Sequence, residues 1–141
     1  ELARIFLPAM EEAGQGRILN VASIASFMPG PKMAVYYASK AYVRSLSEAL
    51  SVELKGSGVT VTALCPGPVK TDFWTRAEAD ESGIFSRLLF ADSRKVAESG
   101  YRAMLKGKVL ALPGFSTACF AFLSSILPRA LVRNMVYQLQ K

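Results

Sequence analysis

The chain has 141 residues, 51% of them apolar and 10% aromatic, with 17 Lys plus Arg against 11 Asp plus Glu for a net charge of +6. That much apolar sequence in one domain-sized chain excludes disorder and requires a packed core, while the lack of any His excludes Ser-His-Asp and Cys-His devices and the commonest transition-metal ligand, leaving acid–base chemistry to Tyr, Lys, Asp, Glu or Cys. Up to Glu98 eleven basic residues face eleven acidic ones, so the whole excess lies in Arg102, Lys106, Lys108, Arg129, Arg133 and Lys141, scattered without runs, which argues against nucleic acid as a partner.

Leu2, Ile5, Phe6, Ala9 and Met10 recur at helical spacing over residues 1–13, with Pro8 as an irregularity and Gly14 and Gly16 closing the segment. This helix is already under way at Glu1 and reads as part of a longer protein. RILNVAS, residues 17–23, is a short apolar run bounded by glycine and small residues, as expected of a strand covered on both faces. The loop FMPGPKM leads into a helix predicted over residues 36–54, with Val43, Leu46, Leu50 and Leu54 as its core stripe and Gly56 and Gly58 as its stop. VTVTAL at residues 59–64 is a second strand, cut off by Pro66, Gly67 and Pro68, and strand–helix–strand makes a βαβ unit with a right-handed crossover.

From Asp72 to Phe90, Phe73, Trp74, Ile84, Phe85, Leu88 and Leu89 mix with charges in an irregular or helical excursion. Ser93 reads as the N-cap of a helix reaching about Leu105, with Val96, Ala97, Tyr101 and Met104 on one face, and KVLAL at residues 108–112 as a third strand. Residues 115–140 read as one or two helices interrupted at Pro128. The thirteen uncharged residues 115–127 fall short of the roughly 20 that a membrane span needs, which leaves a core or oligomer-interface helix and a surface-bound amphipathic segment aided by Arg129 and Arg133 both open. Alternating strands and helices indicate a parallel α/β sheet. Cys65 and Cys119 lack metal-ligand spacing and are too few for a disulfide scaffold, so they read as two buried thiols in a reducing, cytoplasmic compartment.

The sharpest chemical feature is YYASK. Tyr36 and Lys40 are four apart at the start of a helix and so share a face, and a nearby ammonium is the simplest way to make a phenol, normally titrating near 10, a usable acid or base. Tyr37 is out of that pairing and reads as packing. Ser23 lies thirteen residues before Tyr36 at the predicted C-terminal end of a strand, where open α/β sheets bind ligands. CPGPVKT follows the next strand at the same edge, bringing backbone amides and the Thr71 hydroxyl toward a cofactor. Read as structure only, Ser23 ends a strand, Pro66 to Pro68 turn the chain and Thr71 caps a helix.

NVAS, then YYASK, then PGPVKT after a strand resembles the C-terminal half of a short-chain dehydrogenase/reductase, over a stretch from about Glu1 to the final helix. The resemblance implies the C-terminal half of a Rossmann-like doubly wound parallel sheet, with three predicted strands, flanking helices and the N-terminal half absent from the chain. It implies a single partial domain over residues 1–141, with a substrate-loop region at 73–92 and a helical tail at 115–141. The family's catalytic serine, tyrosine and lysine fall on Ser23, Tyr36 and Lys40; its cofactor-binding positions fall on Tyr36, Lys40, Pro66, Gly67, Val69 and Thr71. The implied activity interconverts a carbonyl and an alcohol on a hydrophobic substrate with NAD or NADP, in a homo-oligomer. None of the ten glycines has TGxxxGxG or GxGxxG spacing, so the phosphate-binding turn, the NAD/NADP-selecting residue and the family's further catalytic Asn are expected upstream, and the 141 residues alone are expected to be inactive. Two rival readings are a non-catalytic binding or regulatory protein of the same fold, and a membrane-surface module using the basic tail.

Overall fold

The computed structural model describes residues 2–69 and 91–139. Helix α1 (Leu2–Glu12) continues through Pro8, and Gly14, at φ 63°, turns the chain into strand β1 (Gly16–Val21). A short 3-10 turn (Ile24–Phe27) precedes helix α2 (Ala34–Glu53), which starts two residues earlier than its spacing predicts. Strand β2 (Val59–Leu64), helix α3 (Ser93–Leu105), strand β3 (Leu110–Ala111) and helices α4 (Phe115–Ile126) and α5 (Arg129–Leu139) complete the order.

The three strands form a parallel sheet in the order β1-β2-β3, the α/β architecture expected from alternating elements. β1 and β2 pair in register from Gly16 opposite Val59 to Val21 opposite Leu64, whereas β2 and β3 share only two partners, Ala63 with Leu110 and Leu64 with Ala111. Alternate residues of β2 serve opposite faces. Val59 and Val61 pack with Leu50 of α2, with Leu54 at its C-cap and with Leu7 and Met10 of α1, and Ala63 and Cys65 continue that face beneath Ala121 of α4 and Val132 and Val136 of α5. Leu64 points the other way, into Val96 and Ala103 of α3. β2 is therefore covered on both sides, which explains its unbroken β-branched run.

Several local expectations are corrected by tertiary contacts. The buried stripe of α2 runs through Ser47, its only buried residue, and Leu46 faces solvent. A small residue at the closest approach lets Asn20 Nδ2 of β1 donate to Ser47 Oγ at 2.9 Å while Ser47 Oγ donates to the Val43 carbonyl at 2.7 Å. The cap of α3 is Asp92, not Ser93: its Oδ1 accepts from the Arg94 and Lys95 amides at 2.8 and 3.2 Å, where a carboxylate also suits the positive end of the helix. α3 buries Val96, Gly100 and Ala103, leaving Ala97 and Tyr101 exposed. The third strand is shorter than KVLAL because the Lys108 amide is spent closing α3 on the Ala103 carbonyl at 3.0 Å. Cys119, expected to be buried, is exposed, because α4 turns Ala121 and Ser124 inward. Pro128 divides the tail as expected, its carbonyl accepting from Leu131 at 2.9 Å to open α5. No helix among the described residues is long and apolar enough to cross a membrane. The predicted excursion from Asp72 to Phe90 lies outside the described residues.

Candidate active site

The carboxyl ends of β1 and β2 converge with the first turn of α2. Beyond Val21 the pairing continues irregularly: Ala22 N–H donates to the Leu64 carbonyl and Ile24 N–H to the Pro66 carbonyl, both at 2.8 Å. Ser23 therefore stands past the strand end rather than within it, in extended backbone and buried. It caps the 3-10 turn: its Oγ accepts from Ala25 N–H at 3.2 Å and its carbonyl accepts from Ser26 Oγ at 2.6 Å. The cap uses only lone pairs of the Ser23 hydroxyl and leaves its proton to direct at a ligand. Both readings of Ser23 are compatible in one residue.

Tyr36 and Lys40 occupy successive turns of α2, with Lys40 Nζ 5.8 Å from the centre of the Tyr36 ring. Lys40 Nζ also donates to the Val21 carbonyl at 3.0 Å. This bond ties α2 to the strand end two residues before Ser23, so the serine turn, the tyrosine and the lysine share one edge of the sheet. Tyr37 meets Tyr36 edge-on at 5.9 Å and packs on the core with Phe27 and Met28, the structural role its spacing implies. Gly30 is required there, because a Cβ at that position would run into the Tyr37 ring.

Pro66 and Gly67 lie at the same edge, bonded to the serine turn through the Ile24 amide. Gly67 is pressed against α4, where a Cβ would stand 2.9 Å from Thr117 Oγ1. Val69 bridges to Ala91 and packs toward Leu64 and Val96 on the α3 face, away from the tyrosine side. Thr71 lies outside the described residues, as does nearly all of the predicted substrate-loop region. Among the described residues no group of three His, Cys, Asp or Glu side chains could hold a metal ion.

Sequence reasoning placed Cys65 inside the molecule, as it is, but missed its neighbours in the layer beneath the site. Cys65, directly before Pro66, is fully buried with its Sγ 3.9 Å from Ser26 Oγ, and burial pushes its thiol pKa up while the Ser26 contact opposes this. The Arg44 guanidinium, one turn after Lys40, lies over the Phe27 ring at 4.1 Å. Lys32, at φ 66°, sits 5.7 Å from the Tyr137 ring of α5, so the loop leading to Tyr36 meets the last helix. Its Gly/Pro-rich sequence signals a loop but not that partner.

A family model described as short chain dehydrogenase matches residues 1–82, more than half the chain, although the expected resemblance ran to the final helix. The chain is 33% identical over 111 residues to 2-(R)-hydroxypropyl-CoM dehydrogenase of Xanthobacter autotrophicus, covering 79% of this chain and 43% of that protein. It is 45% identical over 69 residues to the ketoacyl reductase HetN of a Nostoc species, covering 49% of this chain and 24% of that one. A short-chain dehydrogenase of Sphingobium yanoikuyae, solved with NADPH, superposes with a TM-score of 0.70 at 26% identity, covering 90% of this chain and 52% of the other. One from Burkholderia cenocepacia, solved with NADP, gives a TM-score of 0.71 at 26% identity over 91% and 51%. The chain thus spans about half the length of these structures and less than half of these relatives. With the family match over the strand ends, the serine turn and the tyrosine helix, the chain belongs to the short-chain dehydrogenase family.

Proposed function

We propose that this chain is the C-terminal, carbonyl-facing portion of an NAD(P)-dependent oxidoreductase that interconverts a ketone or aldehyde and an alcohol. The observation that carries the reading is the 3.0 Å bond from Lys40 Nζ to the Val21 carbonyl, which couples the Tyr36 helix to the strand end ahead of Ser23. In this reading Tyr36 holds the proton at its hydroxyl and delivers it to the substrate oxygen, or takes it back in the oxidative direction. Ser23 Oγ donates to the same oxygen and stabilises the charge that develops on it. The Lys40 ammonium, with the Tyr36 hydroxyl, presents donors suited to a ribose diol.

These residues fit the nicotinamide end of the cofactor: a lysine–tyrosine donor pair lies at the edge where the Pro66–Gly67 loop is bonded to the serine turn. Val69 and Thr71 enter the proposal as further cofactor positions on the family resemblance alone. When bound, NAD(P) supplies or accepts the hydride. The apolar side chains scattered through residues 73–90 and the uncharged stretch 115–127 favour a hydrophobic substrate. Homo-oligomeric assembly, and contact of the tail with a membrane surface, belong to the same proposal.

The test is Tyr36→Phe in the longest natural protein carrying this sequence. Turnover is expected to fall by about 10²–10⁴-fold, with NADPH affinity, read by fluorescence titration, falling far less because Lys40 keeps its donors. Full activity in the variant overturns the role of Tyr36, and a wild-type protein that binds NADPH but turns over no carbonyl favours the non-catalytic reading.

A further inference from the structure

We infer that the outward face of the α4–α5 hairpin docks on an anionic lipid surface; this names the lipid partner left general in the preceding proposal, and the docking orients the site only if that proposal holds. The two faces of α4 differ sharply. Its inner side carries Thr117, Phe120, Ala121 and Ser124, with Ala121 and Ser124 buried. Its outer side carries Phe115, Cys119, Phe122, Leu123 and Ile126, at the 3- and 4-residue spacing of one helical stripe. Phe115, Phe122 and Ile126 are 88%, 66% and 62% exposed. No charged residue occurs from Val109 to Pro128.

Charges resume at the start of α5, and all of them are positive. Arg129 and Arg133 are exposed one turn apart, Leu131, Met135 and Leu139 form an exposed apolar flank of the same helix, and no acidic residue follows Glu98. An uncharged apolar stripe followed by arginines is the pattern of a helix that buries aliphatic and aromatic groups at a headgroup boundary while cations meet lipid phosphates. The same charges disfavour a second copy as the occupant, since self-association of this face brings arginines together with no acidic residue on either helix to offset them. At 12 residues α4 is too short to span and suited to lying along the surface.

The inner side gives docking a consequence for the site. Ala121, Val132 and Val136 share one cluster with Phe27, Met28 and Cys65, the residues that flank the serine turn and precede the Pro-Gly loop. Tyr137 of α5 also meets Lys32 in the loop before Tyr36. A bilayer beneath α4–α5 would therefore lie one helix layer from the proposed catalytic edge, and an apolar substrate could reach it from the lipid.

Co-sedimentation of the longest natural protein carrying this sequence with vesicles tests the inference without any activity readout, so its failure is separable from failure of the oxidoreductase reading. Vesicles containing phosphatidylglycerol are expected to carry the protein down at low salt, and pure phosphatidylcholine vesicles to carry little. Arg129→Gln and Arg133→Gln leave the apolar stripe untouched and should each weaken binding about fivefold, whereas Phe122→Asp with Ile126→Asp should abolish it. No sedimentation with anionic vesicles, or equal sedimentation with both kinds, overturns the proposal. So does a lipid-free oligomer that Phe122→Asp converts to monomer, which would make this face a contact between copies of the chain.

Discussion

Residues 22–28 and helix α1 are both rich in apolar side chains, and they have opposite surroundings. Ala22, Ser23, Ala25, Ser26, Phe27 and Met28 are all buried, while α1, with Leu2, Ile5 and Phe6, has no buried residue. The serine turn is enclosed by α2, by the Pro-Gly loop and by the α4–α5 hairpin; α1 rests on β1, a strand with one partner among the described residues. Burial here follows the number of neighbouring elements rather than hydrophobicity. The serine turn is enclosed while Tyr36 and Lys40 are only partly buried, which suits a site that must hold a serine in fixed geometry beside residues a ligand can reach.

Removing the centre of the enclosed region should have the largest effect on stability. Phe27→Ala removes a buried ring and the surface on which Arg44 stacks, and should cost about 3–5 kcal/mol in urea unfolding. Asp92→Ala removes a side-chain cap at the exposed start of α3 and should cost about 1 kcal/mol by the same measurement. Phe6→Ser, on the open face of α1, should stay within about 0.5 kcal/mol. A loss for Phe6→Ser as large as that for Phe27→Ala would break the comparison, because it would mean that α1 is covered in solution.

The two thiols sharpen the contrast chemically. Exposed Cys119 should react with iodoacetamide in the native protein at least about tenfold faster than buried Cys65, whose thiolate is disfavoured by burial. The folded pKa of Cys65 lies above the ordinary value of 9.0, so its contribution to stability is intact below that pH and is lost as the pH rises through the folded pKa. Replacing Cys65 by Ala should flatten that alkaline loss in a pH series of urea unfolding curves.

What local chemistry dictates was legible. The strand VTVTAL occupies the residues its β-branched run predicts, and the break at Pro128 is where proline forbids a continuous helix. The relation of Tyr36 to Lys40 was also legible, because four residues along a helix bring two side chains to one face whatever surrounds them. The order of strands and helices likewise limited the fold to a parallel α/β sheet before any contact was known.

Tertiary structure alone decided what each face meets. Ser47 replaces Leu46 in the buried stripe because Asn20 of β1 waits opposite it, and Asp92 outcompetes Ser93 as the cap because its carboxylate reaches two free amides. Cys119 points outward because Ala121 and Ser124 turn toward the core. Lys40 reaches the Val21 carbonyl, and the Pro66 carbonyl takes the Ile24 amide, across sequence separations that no local pattern encodes. Helical and strand periodicity are consequences of the backbone of a few adjacent residues. Burial, and the placement of Lys40 against the strand end two residues before Ser23, depend on how distant segments pack, and that is settled only when the sheet and its helices assemble.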